Sequence, residues 1–374
     1  MKKDFYENVF DDATLIKLEI FKRYIREWLP VFMTQPEKFD KINFYDFFAG
    51  VGYDAKKNPG SPLIVCQEVR SFCETGSKEK SAIPVQMVFN DIKLAYIDKL
   101  KVAIQDVICS RNCCSVRFFN KSFSTLLDDC LSDMKNSRQA NLVIMDQVGV
   151  KEVTPSIVHK ILETGATDIL FFISSNYIKR FADTPEFRDK SDIMPTDITE
   201  VSYKIVHRVL CKHFSSQLTN KNTMLVPFSI KKGSNVYGVI FATNHHLGME
   251  KFLKVCWSLD KVTGEANYNI DEEVTWGGQV SLFDEYVKPT KLRLFEDELL
   301  NFIEKHKPDN RKVWFFGLRR GFCSSKCNDA LKVLQNNCSI SVTNLENGMC
   351  ARKGAFYLVN KSAKVSFAKY PSLT

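Results

Sequence analysis

The sequence predicts an α/β protein: a doubly wound, Rossmann-like sheet followed by a small helical module that ends in a hairpin. Three observations carry this prediction. Short apolar runs alternate with helical patterns five times within roughly 180 residues, the mark of parallel strands joined by crossover helices. Two further apolar runs then follow with only Lys231-Lys232-Gly233-Ser234 between them, which is short enough for an antiparallel hairpin. Periodicity fades across "DKVTGEANYNIDEEVTWGGQ", and a polar stretch with paired glycines reads as a connection. The organisation expected is 1–257 for the sheet domain with its N-terminal helix, 258–289 for the connection and 290–374 for the last domain.

The elements follow in order. "TLIKLEIFKRYIREWLPVF" spaces Leu18, Phe21, Ile25, Trp28, Leu29 and Phe32 by threes and fours with charges between, an amphipathic helix. "INFYDFF" reads as the first strand. "SPLIVCQEVRSFC" reads as a helix with Ser61 as N-cap and Pro62 at the first helical position. "PVQMVF" is a strand ending at Asn90-Asp91, then "LAYIDKLKVAIQDVI" is helical; "SVRFF" precedes the helical "FSTLLDDCLSDM", and "NLVIM" ends at Asp146 before the helical "PSIVHKIL". "DILFFIS" is the fifth strand, "DITEVSYKIVHRVLCKHF" a helix, and "MLVPFSI" with "NVYGVIFAT" the late pair. Five parallel strands closed by a late antiparallel hairpin is the order of class I S-adenosylmethionine-dependent methyltransferases, whereas dinucleotide dehydrogenases continue with a sixth parallel strand. In the last segment "LRLFEDELLNFIEKH", "RKVWFFGLRR" and "SSKCNDALKVLQNN" read as helices, the third capped by Ser324 or Ser325, and "SISVTN" and "AFYLVN" as strands. Three helices and a hairpin outline a winged helix.

At 374 residues, with 44% apolar and 26% charged residues, the chain has an ordinary globular composition and room for two domains. No apolar run reaches the ~18–20 residues of a membrane helix, and the N-terminus lacks a signal-peptide apolar region; a soluble, cytoplasmic protein is expected. The 12 cysteines are scattered, often within apolar runs such as "LIVCQ" and "KVCWS", so reduced buried thiols are expected. The net charge of +8 is uneven: from Tyr286 onward there are 16 Lys/Arg against 7 Asp/Glu. A basic module on a near-neutral one favours a polyanion such as DNA or RNA; a basic solvated surface is the alternative.

The loop "DFFAGVGYDAKKNPGSP" is the informative stretch. Gly50 and Gly52 let backbone approach a ligand at the end of the first strand, but the third glycine of a pyrophosphate loop is missing and "YDAKKNPG" delays the helix. A nucleoside cofactor without a pyrophosphate fits better. Asp46 and Asp91 end the first two strands as carboxylates for an ammonium group or ribose hydroxyls, and Asn120 stands past the third for an adenine edge. Asp46, Phe47, Ala49, Gly50, Gly52, Asp91 and Asn120 form the candidate S-adenosyl-L-methionine set. Each polar member also has the plain reading of a strand-terminating turn residue.

In "NLVIMDQVGV", Asp146 and Gln147 are the candidate catalytic pair, as base or as hydrogen-bond acceptors for a substrate amine, against the reading of a D-x-x-G turn. No D/N/S-P-P-Y/F run and no Pro-Cys dipeptide occurs, which argues against amino-methylating and cytosine carbon-5 chemistry. Cys323, Cys327, Cys338 and Cys350 lack the paired spacing of structural zinc, Cys327 reads as a small core residue, and no metal is expected. His245-His246 reads as a polar loop. Arg319, Arg320, Lys326, Lys332, Arg352 and Lys353 form the candidate nucleic-acid surface; a winged helix used for protein contacts is the competing reading.

Taken together, "TLIKLEIFKRYIREWL", "DFFAGVG…GSPLI", "VIMDQVGVKEVTPSIVHKIL", "TDILFFISSNYIKRF", "FSIKKGSNVYGVIFATNHHLGMEKFL" and "GEANYNID" resemble the three-Cys-motif partner proteins (TcmP) over nearly the whole chain. The resemblance implies a bacterial protein with a methyltransferase-like fold, a C-terminal winged-helix module, and a separate partner bearing a three-cysteine, radical-S-adenosylmethionine-like motif. Where that family commonly has D-P-x-G, this chain has Asp146-Gln147-Val148-Gly149. The function expected is S-adenosylmethionine-dependent methyl transfer, on nucleic acid. The alternative is a catalytically inactive methyltransferase-like adaptor that binds nucleic acid and the radical-enzyme partner; a nicotinamide oxidoreductase fits least.

Overall fold

The structure is a computed structural model and describes residues 8–75, 83–109, 114–146, 152–181, 184–185, 198, 200–232, 235–265 and 291–370. Two compact units divide the chain, Met1–Val255 and Cys256–Thr374.

The first unit is built on β1 (Lys41–Asp46), β2 (Val85–Asn90), β3 (Cys114–Phe119), β4 (Gln139–Met145), β5 (Ala166–Ser174), β6 (Met224–Lys232) and β7 (Asn235–Thr243), in the order β3-β2-β1-β4-β5-β7-β6. β1 to β5 pair in parallel, and β7 inserts antiparallel between β5 and β6. The resulting mostly parallel sheet resembles that of class I methyltransferases, as the late pair of apolar runs predicts. β1 alternates its side chains between two covered faces. Ile42 and Phe44 face the N-terminal helix α1 (Asp12–Met33), where the Trp28 ring meets Phe44 at 5.3 Å and Tyr24 meets Phe241 at 4.8 Å. Tyr45, with Val143, Ile169 and Phe171, faces a core completed by Leu126, Leu127 and Met134 of α4 (Phe123–Met134) and Val158 and Ile161 of α5 (Pro155–Leu162). With both faces buried, the central strands read as continuous apolar runs.

α2 (Ser61–Thr75) and α3 (Leu94–Ile104) form as expected. Two helices escape the sequence reading: α6 (Ser175–Phe181), directly after β5, and the helix beginning at the two histidines, here α8 (His246–Leu259). His245 stands just before α8 and its Nδ1 accepts the Leu247 amide at 3.2 Å, so the polar-loop reading holds for His245 and not for His246. Of the helix expected over 197–214, Asp197 and Thr199 lie outside the described residues, and the chain is not helical at Glu200, Val201 and Ser202. Ser202 accepts the Lys204 amide and opens a 3-10 turn at Tyr203–Ile205, and the regular helix α7 runs Val206–Gln217.

The described part of the second unit holds α9 (Lys291–His306), α10 (Asn310–Arg319), α11 (Ser324–Asn336) and an antiparallel pair, β8 (Ile340–Asn344) and β9 (Val365–Lys369). The N-cap of α11 is Cys323 rather than Ser324 or Ser325. The second strand is "VSFAK" rather than "AFYLVN". Tyr357 takes φ 52°, which breaks an extended run, and its carbonyl accepts the Asn310 side-chain amide at 2.8 Å. Val365 and Phe367 instead supply the buried alternation. Among the described residues no helix is long and apolar enough to cross a membrane.

Candidate active site at the carboxyl ends of β1, β2 and β4

From β1 the chain winds outward to β3, then returns to place β4 on the other side of β1. The order therefore reverses between β1 and β4, and the carboxyl ends there form the crevice in which open α/β sheets bind ligands. Asp46 closes β1 and is only 1% exposed. Its Oδ2 accepts the Ser61 hydroxyl at 2.6 Å and its Oδ1 the Phe48 amide at 3.2 Å. Ser61 is the first residue of α2 and commits its hydroxyl to Asp46, which corrects its reading as a simple cap. Burial pushes the Asp46 carboxyl up to about 7; the two hydrogen bonds oppose this, and the charges of Asp146 and Asp91 add to it. Asp46 thus senses a carboxylate at the end of each neighbouring strand.

The glycine loop is braced on all sides. Gly50 and Gly52 take φ 66° and 92°, the left-handed region that glycine enters without strain. The Gly50 amide donates to Asp91 Oδ2 at 3.2 Å, the Ala49 amide to the Asn90 carbonyl at 2.8 Å, and the Gly60 amide to the Gly52 carbonyl at 2.6 Å. A Cβ on Gly52 would stand 3.0 Å from Leu100 and 3.2 Å from Ala103, so the space it leaves is used for packing of α3. The eight-residue insertion closes on Asp54, which the sequence reading passes over. Asp54 Oδ1 accepts the Lys56 and Asn58 amides at 2.8 and 2.7 Å, and Oδ2 accepts the Phe10 amide at 2.7 Å. Burial acts to raise this carboxyl, but these bonds outweigh it and hold it below the usual range.

Asp91 is half-buried; besides Gly50 it accepts the Lys93 amide at 2.9 Å on Oδ1. Exposed Asn120 donates to the carbonyls of Asp91 and Ile92, both at 2.9 Å, and so shapes the loop around Asp91. Asn90, which was not singled out, is 1% exposed and donates to the carbonyls of Phe47 and Lys121 while accepting the Lys121 amide. It ties the ends of β1, β2 and β3 together. The Phe47 ring is committed to the core, 5.2 Å from Phe123 and edge-on to it.

At the end of β4, Asp146 forms an ion pair with Lys17 of α1, and the Lys17 ammonium lies 4.7 Å from the centroid of the Phe172 ring. Lys17 is 7% exposed. The sequence reading places it among the outer charges of the helix, yet it leads Phe21, Tyr24 and Trp28 by four, seven and eleven positions, which is the apolar stripe itself. That phase was the available signal. Gln147 lies outside the described residues.

The basic candidates are described within the second unit. Arg319 and Arg320 are exposed at the end of α10, with Arg320 paired to Glu298 at 3.1 Å. Lys326 is half-buried with its ammonium 4.9 Å from the Trp257 ring centroid, while Lys332 is exposed. The two lysines are six apart on α11, about 120° around its axis. Arg352 and Lys353 are exposed in the segment joining β8 and β9. Cys327 packs against Gly317, where a Cβ would fall 2.1 Å from its sulfur, so its reading as a small core residue fits the helix crossing.

No family model matches the sequence, and no curated protein matches it. Among solved structures the chain is similar to an O-methyltransferase from Bacillus cereus in complex with SAH, with 12% identity, TM-score 0.31, and coverage of 63% of this chain and 91% of that one. It is also similar to the O-methyltransferase TomG from Streptomyces achromogenes in complex with SAM, with 9% identity, TM-score 0.31, and coverage of 63% and 90%.

Proposed function

We propose that the chain is an S-adenosylmethionine-dependent methyltransferase whose acceptor is nucleic acid and which works in the cytoplasm with a three-Cys-motif partner. The observation that carries this reading is the convergence of Asp46, Asp91 and Asp146 at the switch point, where burial raises the carboxyl of the first and the charges of the latter two add to it. Such a site repels a pyrophosphate and suits a nucleoside that carries positive charge. Among the residues present, Asp46 and Asp91 would hold the ammonium and ribose groups, with the Gly50–Gly52 backbone beside them and Asn120 shaping the Asp91 loop. When bound, the cofactor supplies an electrophilic methyl group. Asp146, oriented by its ion pair with Lys17, would accept a hydrogen bond from the acceptor and set its direction.

The excess of basic residues after Tyr286, with three helices and a two-stranded sheet, supports a winged-helix module on a phosphate backbone. The motif resemblance to TcmP supports the partner, and cysteines scattered within apolar runs support a reducing cytoplasm. A second reading, a silent adaptor with the same partners, is favoured by the ion pair itself: the Asp146 carboxylate is already engaged by Lys17 and so less available to an acceptor.

The test is calorimetry of S-adenosylmethionine with the wild type and Asp46→Ala, followed by radiolabelled methyl transfer onto total DNA, RNA and protein of the host. Binding lost in Asp46→Ala with label in DNA or RNA is the expected result. Cofactor binding with no label in any fraction selects the adaptor, and no cofactor binding overturns both the assignment of Asp46 and the methyltransferase reading.

A further inference from the structure

We infer a thiophilic metal site at the amino end of the sheet, formed by Cys73, Cys109 and Cys114, that binds a single zinc ion or a cation of like softness. Three separate elements bring these thiols together. Cys73 lies near the end of α2, Cys109 in the turn after α3, and Cys114 opens the edge strand β3. Their sulfur atoms all lie within 4.8 Å of one another, with Cys73 and Cys114 at 3.9 Å. Zinc–thiolate bonds of about 2.3 Å in a tetrahedral arrangement put ligand sulfurs about 3.8 Å apart, so the spacing needs only a small contraction. Thiolates select zinc or copper(I) over the hard divalent cations.

The surroundings agree with this. Cys73 and Cys109 are 4% and 5% exposed while Cys114 is half-buried, so the three thiols are largely shielded from bulk water. Arg70, one turn before Cys73, donates to the Asp106 carbonyl at 3.0 Å and holds α2 against the segment that carries Cys109. Without a cation the Cys114 thiol resists ionisation: it is pushed up first by its hydrogen bond with Cys73, then by burial and by Cys109. A bound dication reverses that preference. Three thiols give up three protons as a dication binds, leaving a complex of charge minus one, so affinity rises with pH. Position argues for a structural role. Asp46 and Asp91 end their strands, whereas Cys114 begins one, so the ion would fasten the sheet edge at the end remote from the candidate active site.

The experiment uses full-length, reduced, chelator-stripped protein titrated with zinc against a chromophoric chelator, followed by cobalt(II) substitution and mass-mapped alkylation. One equivalent of zinc is expected, with protection of Cys73, Cys109 and Cys114 from alkylation and a thiolate-to-cobalt charge-transfer band. Each of Cys73→Ser, Cys109→Ser and Cys114→Ser should weaken binding about tenfold or more, while Cys338→Ser, at an exposed position outside the cluster, should not. Alkylation of the wild type with and without zinc decides the matter even if a serine variant misfolds. No zinc uptake, zinc uptake that leaves these three thiols reactive, or a Cys73–Cys114 disulfide in place of metal binding would overturn the inference. None of these outcomes bears on cofactor binding at Asp46.

Discussion

The Ser61 hydroxyl donates to the buried Asp46 carboxylate at 2.6 Å, so the first turn of α2 and the last residue of β1 share one proton-sensitive contact. Because burial raises this carboxyl to about 7, the folded protein binds a proton there that the unfolded chain releases near pH 4. Its stabilising contribution is therefore complete below about pH 4 and is lost as pH rises through about 7. Asp46→Asn should remove this fall, gaining on the wild type by on the order of a few kcal/mol between those limits. Urea denaturation of both proteins across that range measures it, and parallel curves would contradict the assignment. Cofactor affinity of the wild type should climb through the same window as Asp46 ionises.

His207 tilts the pH profile the other way. It is fully buried on α7, with Ser175 Oγ 3.0 Å from Nδ1 and Ser229 Oγ 2.7 Å from Nε2. Burial, aided by the charge of Arg208, lowers the imidazole to about 3. The sign reverses: its contribution is present above the unfolded value of about 6.5 and is lost as pH falls toward about 3. His207→Gln should flatten the acid limb of the stability curve, and a variant that retained the wild-type acid midpoint would show that other groups govern it.

The Lys17–Asp146 pair supplies a third expectation. Lys17 is nearly sequestered and the Asp146 side chain is 22% exposed, so removing one partner leaves an uncompensated charge with limited access to water. Lys17→Met should cost roughly 2–4 kcal/mol, and the double variant Lys17→Met/Asp146→Asn should recover most of it. A double-mutant cycle by chemical denaturation reads the coupling directly. Additive single effects would mean that the two residues contribute independently.

The same pair marks where the sequence stops being legible. Strands buried on both faces announce themselves as apolar runs, and Asp46 and Asp91 can be read because a strand end dictates their position locally. Lys17 can be read only in part: its phase puts it on the apolar stripe, but its partner lies 129 residues away and nothing local names it. Asp54 is partly hidden for a similar reason: Lys56 and Asn58 are local partners, but the Phe10 amide that completes its set lies 44 residues earlier. In the second unit, "AFYLVN" has the alternation of a strand and buries Phe356 and Leu358, yet Tyr357 turns left-handed and the pairing falls to Val365–Lys369. Local pattern predicts which side chains are covered better than which backbone pairs.

The basic candidates separate into exposed residues and residues that pack. Arg352 and Lys353 are exposed in the segment between β8 and β9, whereas the Lys326 ammonium rests over the Trp257 ring. If the module binds a phosphate backbone, Arg352→Ala/Lys353→Ala should weaken binding to duplex oligonucleotides of unrelated sequence alike and reduce the logarithmic salt slope by about 2. Lys326→Ala should instead lower stability by roughly 0.5–2 kcal/mol through loss of the cation–aromatic contact, with a smaller change in slope. Fluorescence anisotropy over a potassium chloride series distinguishes the two variants. A slope unchanged by the double substitution would move the polyanion contact away from the β8–β9 segment and onto the exposed end of α10, where Arg319 becomes the next residue to replace.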